Sequence, residues 1–307
     1  MRYRFEKNCV GKGANLMGQA NVKHEKKCYL CGCTEHRRRP GKVRDDERLE
    51  ILECKGCGLV FLSRTKLPEG FYEQSCMHTG EPQPIDEWLR DTDRDDERRF
   101  RYLSEAMTNR DVLDFGCGVG GFLLKARTKA HHVAGIELEV RLQPHFQTNG
   151  LDVFQNIADL PSDQRYDLIT AFHVVEHLED PANMLRQLAA RLRGEGGIII
   201  EVPSASDALL TLYESTPFSE FTYWSCHLYL FNAANLPLLA NKAGLKLEYV
   251  SHIQRYPLSN HIYWLAKGKP GGHQLWHFLD SDELASAYEA RLASMGRTDT
   301  LMASLSL

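Results

Sequence analysis

Short apolar runs alternate with longer amphipathic stretches through the middle of this chain. Apolar runs of four to eight residues predict buried strands, and apolar positions spaced three or four residues apart predict helices. The strands are predicted over 111–115, 132–137, 151–154, 166–172, 197–202, 245–254 and 258–266, and the helices over 86–107, 120–130, 139–149, 181–192 and 232–243. This alternation predicts an α/β fold with a parallel sheet covered by helices on both faces.

A glycine-rich turn follows the first of these strands. Val112-Leu113-Asp114-Phe115 leads into Gly116-Cys117-Gly118-Val119-Gly120, and the next residues have a helical pattern. Glycines between a strand and a helix let the backbone approach a ligand closely, and the helix start adds free N–H donors. The turn alone predicts only a nucleotide-like ligand.

Two further motifs follow in order. Glu137 ends the second strand, where a carboxylate can bind the two hydroxyls of a ribose. Glu176-His177-Leu178-Glu179-Asp180-Pro181 follows the fourth strand. Together with the turn, these motifs resemble the class I S-adenosylmethionine-dependent methyltransferases, and the resemblance covers roughly residues 85–267. It implies a Rossmann-like seven-stranded sheet whose last strand is antiparallel.

The resemblance also implies roles for particular residues. Asp114 and Glu137 would bind the methionine amino end and the ribose of S-adenosylmethionine. The backbone around the turn would lie close to that cofactor, the 156–157 segment would contact the adenine, and two residues after the fourth strand would lie beside the transferred methyl group. The remaining predicted cofactor residues are Gly116, Cys117, Gly118, Gly120, Asn156, Ile157, Phe172 and His173.

Two histidines are candidates for a general base. Histidine suits a hydroxyl acceptor because its pKa is near the operating pH. His227 precedes the apolar run that opens a late helix, where many relatives have a histidine, and it is our first candidate; His173 is the second. The alternative for His227 is a histidine that caps the helix. Glu176 and His177 are interpreted as a hydrogen-bonding pair, although a related quinone O-methyltransferase group binds a divalent metal here.

Two C-x-x-C pairs precede these motifs. Cys28 and Cys31 form one pair and Cys54 and Cys57 the other, and each pair is followed by a glycine. Such a pattern predicts a zinc ribbon with a structural Zn²⁺ bound by four thiolates. A module this short needs a metal to stabilise it.

These patterns divide the chain into consecutive regions. The predicted regions are a basic N-terminal segment (1–27), a zinc-binding module (28–66), a linker (67–85), a methyltransferase domain (86–267) with an aromatic-rich substrate lid (203–231), and a helical C-terminal tail (268–307).

Composition narrows the location and the partners. The chain has 307 residues, a net charge of −4 and nine cysteines, and it begins without an apolar signal sequence. We therefore expect a cytoplasmic protein with reduced cysteines, no membrane span and no broad nucleic-acid-binding face.

The predicted activity is methyl transfer to a hydroxyl of a sugar, either nucleotide-linked or in a glycan, or of a similar small polar metabolite. A zinc module ahead of this domain resembles bacterial enzymes of glycan and secondary-metabolite biosynthesis. The alternatives are a zinc-ribbon ribosomal RNA base methyltransferase and a non-catalytic module that binds S-adenosylmethionine. The acidic net charge counts against RNA, and the intact cofactor motifs count against lost binding.

Overall fold

The structure is a computed structural model that describes residues 26–67, 71–72 and 83–307. The segment predicted over 1–27, apart from its last two residues, and most of the linker predicted over 67–85 lie outside the described residues. The chain divides into two compact units. Among the described residues, the first unit comprises residues 26, 67, 71–72 and 83–163, and the second comprises Lys27–Lys66 and Gln164–Leu307.

Strands and helices alternate through both units. The strands are β1 (His36–Arg38), β2 (Ile51–Cys54), β3 (Val60–Leu62), β4 (Asp111–Phe115), β5 (His132–Ile136), β6 (Asp152–Phe154), β7 (Tyr166–Phe172), β8 (Leu192–Pro203), β9 (Tyr229–Leu230), β10 (Lys246–Ile253) and β11 (Thr300–Ser306). The helices are α1 (Ile85–Tyr102), α2 (Ser104–Met107), α3 (Gly121–Ala126), α4 (Gln143–Thr148), α5 (Pro181–Ala189), α6 (Ala208–Thr211), α7 (Thr216–Thr222), α8 (Leu236–Ala243), α9 (Leu258–Lys267), α10 (Gly272–Leu275) and α11 (Asp282–Ser294).

The larger sheet has seven strands in the order β10-β11-β8-β7-β4-β5-β6. In the first unit β5 pairs in parallel with β4 and with β6, and in the second unit β7 pairs in parallel with β8. β11 is antiparallel to both of its neighbours, β8 and β10. The predicted α/β fold with a Rossmann-like seven-stranded sheet and an antiparallel last strand is therefore confirmed.

The apolar runs form the buried strands. All five residues of β4 are buried, and so are most residues of β7 and β8. Parallel strands covered on both faces are expected to consist of such continuous apolar runs. The strand predictions over 111–115 and 166–172 match the observed bounds, and those over 132–137 and 245–254 match within a residue at each end.

One prediction near the C-terminus is wrong and another holds only in part. Residues 258–266, predicted as a strand, lie within α9. The tail predicted to be helical over 268–307 contains α10 and α11 but ends in β11. β-Favouring residues such as Ile262 and Tyr263 misled the strand prediction. Pro257 before the segment and the left-handed Gly268 after it (φ 62°) are helix start and stop signals that should have outweighed them.

The smaller sheet belongs wholly to the second unit. Its order is β1-β2-β3-β9 and all its pairs are antiparallel, so the segment predicted as a lid contributes a strand to the cysteine module (residues 28–66). Tyr223 of that segment is 1% exposed and packs with residues of the module. The buried cluster comprises Val43, Leu49, Ile51, Val60, Leu62, Ala205, Tyr223 and Leu230. Tyr223 thus joins the core of the module.

Among the described residues, no helix has both the length and the apolar composition that a membrane crossing requires.

Candidate functional site

The four predicted zinc ligands converge in the second unit. Their sulfur atoms all lie within 4.8 Å of one another, and the Sγ–Sγ distance is 3.5 Å for Cys28–Cys57 and for Cys31–Cys54. The two glycines after the pairs, Gly32 and Gly58, have φ values of 72° and 70°. Each donates its N–H to the carbonyl of the first cysteine of its pair, which closes the tight turn that aims both thiols inward. Four converging thiols fit a tetrahedral zinc ion.

In the first unit, the glycine-rich turn has the conformation that its glycines allow. Gly116, Gly118 and Gly120 have φ values of 74°, 52° and 78°, in the left-handed region that side chains disfavour. The backbone N–H groups of Gly116 and Cys117 both donate to the Ile136 carbonyl, so the turn is fixed to the end of β5. Gly120 is the N-cap of α3.

Glu137 lies directly after β5 and is fixed by that turn. One carboxylate oxygen accepts the Gly118 N–H at 2.9 Å, and the other accepts the Glu139 N–H at 2.9 Å. Burial and the neighbouring carboxylate of Glu139 raise the pKa of Glu137, and the two N–H donors oppose that rise. Since each carboxylate oxygen has more than one lone pair, the group can also accept hydrogen bonds from a diol.

The other predicted cofactor residues of this unit have different surroundings. Asp114 and Cys117 are buried, at 3% and 8% exposed, and the Cys117 side chain belongs to an apolar cluster, so its backbone is the part that could face a ligand. Asn156 begins a 3₁₀ turn over Ile157–Asp159. Its backbone N–H and side-chain amide both donate to Asp159 Oδ2, at 3.0 and 3.3 Å. Asp159, which the sequence analysis did not single out, therefore sets the orientation of Asn156.

In the second unit, His173 directly follows β7 and the buried Phe172. Its φ of 55° is unusual for a residue with a side chain. Nδ1 donates to Glu176 Oε1 at 3.2 Å, and Nε2 lies 3.1 Å from Glu201 Oε1 and 3.0 Å from Arg255 Nη1. Both glutamates are 0% exposed.

The charges around His173 decide its protonation. Burial and Arg255 lower the pKa of its imidazole, but the hydrogen bonds to Glu176 and Glu201 outweigh them, and the net pKa is raised. The pKa of Glu176 is lowered in turn, because the hydrogen bond from His173 and the nearby His177 outweigh its burial. The two carboxylates therefore make the imidazole of His173 easier to protonate than a free imidazole.

Two other histidines form a pair near Glu176. His177 Nδ1 donates to the Cys226 carbonyl at 2.9 Å, which leaves Nε2 as its unprotonated nitrogen, 4.0 Å from Glu176 Oε1. The ring of His227 packs on the His177 ring, with centroids 4.8 Å apart, and lies 5.9 Å from the Trp224 ring. The 3₁₀ turn Val175–His177 thus brings the Glu176–His177 motif to the predicted base.

Burial keeps this pair neutral. It lowers the pKa of His177, and burial together with the neighbouring His177 lowers the pKa of His227 to about 3, against a partial opposing effect of Glu176. The ligand atoms of His177, Cys226 and His227 also lie within 4.8 Å of one another, so a metal ion could draw these three side chains together. A count of the zinc ions bound per chain distinguishes a neutral histidine pair from a metal site formed by these three side chains.

Glu201 and Arg255 are site residues that the sequence analysis missed. Glu201 interrupts the apolar run of Ile198-Ile199-Ile200, and a charged residue inside a buried strand was a signal for it. Arg255 follows β10, far from His173 in sequence, and nothing in its local pattern indicated a role.

The fold is that of an α/β protein with a glycine-rich turn after a parallel strand. A family model described as a methyltransferase domain matches residues 88–250. The chain belongs to this family of methyltransferase domains.

Individual proteins to which this chain is similar are also named as methyltransferases. A "Probable S-adenosylmethionine-dependent methyltransferase" of Mycobacterium tuberculosis is 30% identical over 149 residues, covering 47% of this chain and 52% of that protein. A ubiquinone biosynthesis O-methyltransferase of Coxiella burnetii is 28% identical over 177 residues, covering 53% and 75%. The match spans about half the length of the mycobacterial protein. A solved S-adenosylmethionine-dependent methyltransferase of Archaeoglobus fulgidus aligns over 68% of this chain and 91% of its own, with 20% identity and a TM-score of 0.44.

Proposed function

We propose that this protein transfers a methyl group from S-adenosylmethionine to a hydroxyl of a small polar metabolite, a nucleotide-linked sugar or a glycan sugar. The observation that carries the proposal is the neutral His227 beside the ionised Glu176, in a chain of a methyltransferase family. The curated relative named as an O-methyltransferase supports an oxygen acceptor.

The residues of the first unit fit the cofactor. Left-handed glycines let the backbone approach a ligand closely, and the Glu137 carboxylate, fixed by two N–H donors, is suited to accept both ribose hydroxyls. Asp114 and the 156–157 segment are proposed to bind the methionine and adenine ends. The bound cofactor supplies an electrophilic methyl group on a sulfonium.

We choose between the two candidate bases by the direction in which the pKa of each histidine is shifted. A general base must be unprotonated, and residues whose environments separate their pKa values divide such roles between them. The pKa of His227 is lowered to about 3, so His227 is unprotonated near neutral pH and can accept a proton, whereas the raised pKa of His173 makes His173 keep a proton to a higher pH than a free imidazole does. Because a hydroxyl oxygen becomes strongly acidic as it forms a new bond to carbon, a weak base suffices. Glu176 would stabilise the imidazolium of His227, and His173 would hold Glu176 in place.

The cysteine module is proposed to bind one structural zinc ion. The four thiols converge in two matched turns, and a site with four protein ligands has no open position for catalysis. Its contribution to the reaction would therefore be through the parts of the fold that it holds.

The acceptor is tested by transfer of a labelled methyl group from S-adenosylmethionine in the presence of nucleotide-linked sugars, catechol-type phenols or ribosomal RNA. We expect label in the sugars, bound through oxygen, and its loss when His227→Ala replaces the native protein. Label found only in a phenol would move the acceptor to the class of the ubiquinone relative. Label in RNA would contradict the proposal, and so would tight cofactor binding with no transfer to any acceptor class.

A further inference from the structure

The loop of the cysteine module between β1 and β2 contacts the segment that carries His227. The Asp45 carboxylate accepts two hydrogen bonds from Ser225: from its N–H at 2.9 Å and from its hydroxyl at 2.6 Å. Ser225 is two residues before His227. Between them the chain makes a tight turn, in which the His227 N–H donates to the Trp224 carbonyl at 3.0 Å.

Arg44 holds the other side of the same turn. Its backbone N–H donates to the Tyr223 carbonyl at 3.0 Å, and its guanidinium lies 4.4 Å from the Trp224 ring centroid. Trp224 is in turn a ring neighbour of His227. A cation over an aromatic face is attracted to the ring, so this contact fixes the indole that borders the imidazole.

The far side of the turn is fixed as well. The Leu228 N–H donates to the Glu176 carbonyl at 2.9 Å, and the Leu228 carbonyl accepts the Leu62 N–H at 3.2 Å. These bonds join β3 of the module, the residue after His227 and the Glu176 backbone. His227 is therefore held between two attachments to the same module.

We propose that Asp45 and Arg44 are positioning residues for the base: they form a clamp, the Arg44–Asp45 clamp, that fixes the turn of residues 223–227 and keeps His227 against His177. The proposal rests on the proposed function of His227, which it deepens. It gives the cysteine module an indirect role in catalysis, through the position of His227. The clamp lies in the loop between β1 and β2, and the two cysteine turns adjoin these strands.

Loss of the Asp45 charge and release of the turn would shift the pKa of His227 in opposite directions, so an experiment can distinguish the two effects. The groups that face His227 are His177, Glu176, His173 and Arg44, and its burial among them keeps it unprotonated. Removal of the Asp45 carboxylate takes away a negative charge, and by charge alone this would make His227 harder to protonate. Release of the turn would expose the imidazole to water and make it easier to protonate.

The experiment follows the His227 imidazole by ¹⁵N-detected NMR during a pH titration of the full-length, zinc-loaded protein, with the signal assigned by its loss in His227→Gln. We expect the native imidazole to stay neutral from pH 8 to pH 5. In Asp45→Ala its midpoint should rise by about one pH unit or more toward the exposed value near 6.5. Asp45→Asn, which can still accept the Ser225 N–H, should recover at least half of the native behaviour.

Asp46→Ala is the matched control. It removes the same charge one residue away, but the Asp46 carboxylate contacts Arg48 and Arg64 within the module. It should leave the His227 titration unchanged. If Asp45→Ala loses zinc or does not fold, Ser225→Ala carries the test, with a smaller upward shift expected because it keeps one of the two bonds.

An unchanged or lowered midpoint in folded Asp45→Ala would overturn the clamp, and an equal rise in Asp46→Ala would also overturn it. Neither result depends on an acceptor. Normal turnover by His227→Ala would instead remove the proposed base, so failure of the clamp and failure of the proposed function are separate outcomes.

Discussion

His173 and His227 lie in the same compact unit and near the same glutamate, Glu176, yet their pKa values are shifted in opposite directions. His173 lies between the carboxylates of Glu176 and Glu201, and its pKa is raised. His227 packs against the rings of His177 and Trp224, and its pKa is lowered to about 3. The comparison teaches that the immediate partners of a histidine set the direction of its pKa shift, and that His227 is the one that stays unprotonated to the lower pH.

The largest effect is expected from removing the metal from the cysteine module. This module contacts the segment that carries His227. Cys54→Ser should lower bound zinc from about one per chain toward none, because a structural site needs all four thiolates. Apparent binding energies of such sites are about 10–16 kcal/mol, so the module should unfold locally. Elemental analysis and native mass spectrometry measure the metal.

The zinc count also separates the two possible metal groups. One zinc per native chain that is lost in Cys54→Ser is the expected result. A second zinc that is retained in Cys54→Ser and lost in His227→Ala would assign the His177–Cys226–His227 group to metal binding and contradict the role of His227 as a base. A fully folded native protein without metal would contradict the zinc ribbon.

The next effect is on turnover. His227→Ala should reduce the rate of methyl transfer by ~10²–10⁴-fold, the usual contribution of a general base. Its affinity for S-adenosylmethionine by calorimetry and its midpoint of thermal unfolding should remain close to native. Steady-state rates on the sugar acceptor provide the measurement, and a rate within threefold of native would remove His227 as the base.

The same substitution at the other histidine should mainly affect stability. His173→Ala removes the side chain that contacts the buried carboxylates of both Glu176 and Glu201, and removing one partner from a buried ion pair costs about 3–5 kcal/mol. Urea unfolding should report that loss of free energy of unfolding. A stable His173→Ala protein with abolished turnover would reverse the roles assigned to the two histidines.

Local features were predictable from the sequence, and those built from distant segments were not. The glycine turn and each C-x-x-C pair lie within a few residues, and Glu137, 19 residues after Gly118, ends the next predicted strand, so motif spacing was enough to predict them. The His173 network draws Glu201 from β8 and Arg255 from beyond β10, and those contacts depend on strand order and register. The protonation of His227 depends on burial, which a single sequence does not encode at one position.

A substitution in the first unit provides the control for both histidines. Glu137→Ala should weaken binding of S-adenosylmethionine by about 1–3 kcal/mol, the cost of losing hydrogen bonds to a charged group. Calorimetry measures the affinity, and NMR should find the titrations of His173 and His227 unchanged. Unaltered affinity would refute the assignment of Glu137 to the ribose.

The smallest expected effect is on the pH dependence of the free energy of unfolding, to which the two histidines contribute with opposite signs. An unfolded histidine has a pKa near 6.5, so the unfolded chain binds more protons than the folded one at the His227 position between pH 6.5 and about 3. Stability is therefore lost at this site as the pH falls from 6.5 toward 3, by up to about 2 kcal/mol at pH 5. At His173 the folded pKa is raised, so its contribution to stability is present below pH 6.5 and lost as the pH rises through the folded value.

Urea unfolding at pH 5, 7 and 9 measures both contributions. Compared with the native protein, His227→Ala should lose less stability at acidic pH, and His173→Ala should lose less stability at alkaline pH. Parallel pH profiles for the two variants would mean that the two imidazoles share one environment, and the comparison would then fail.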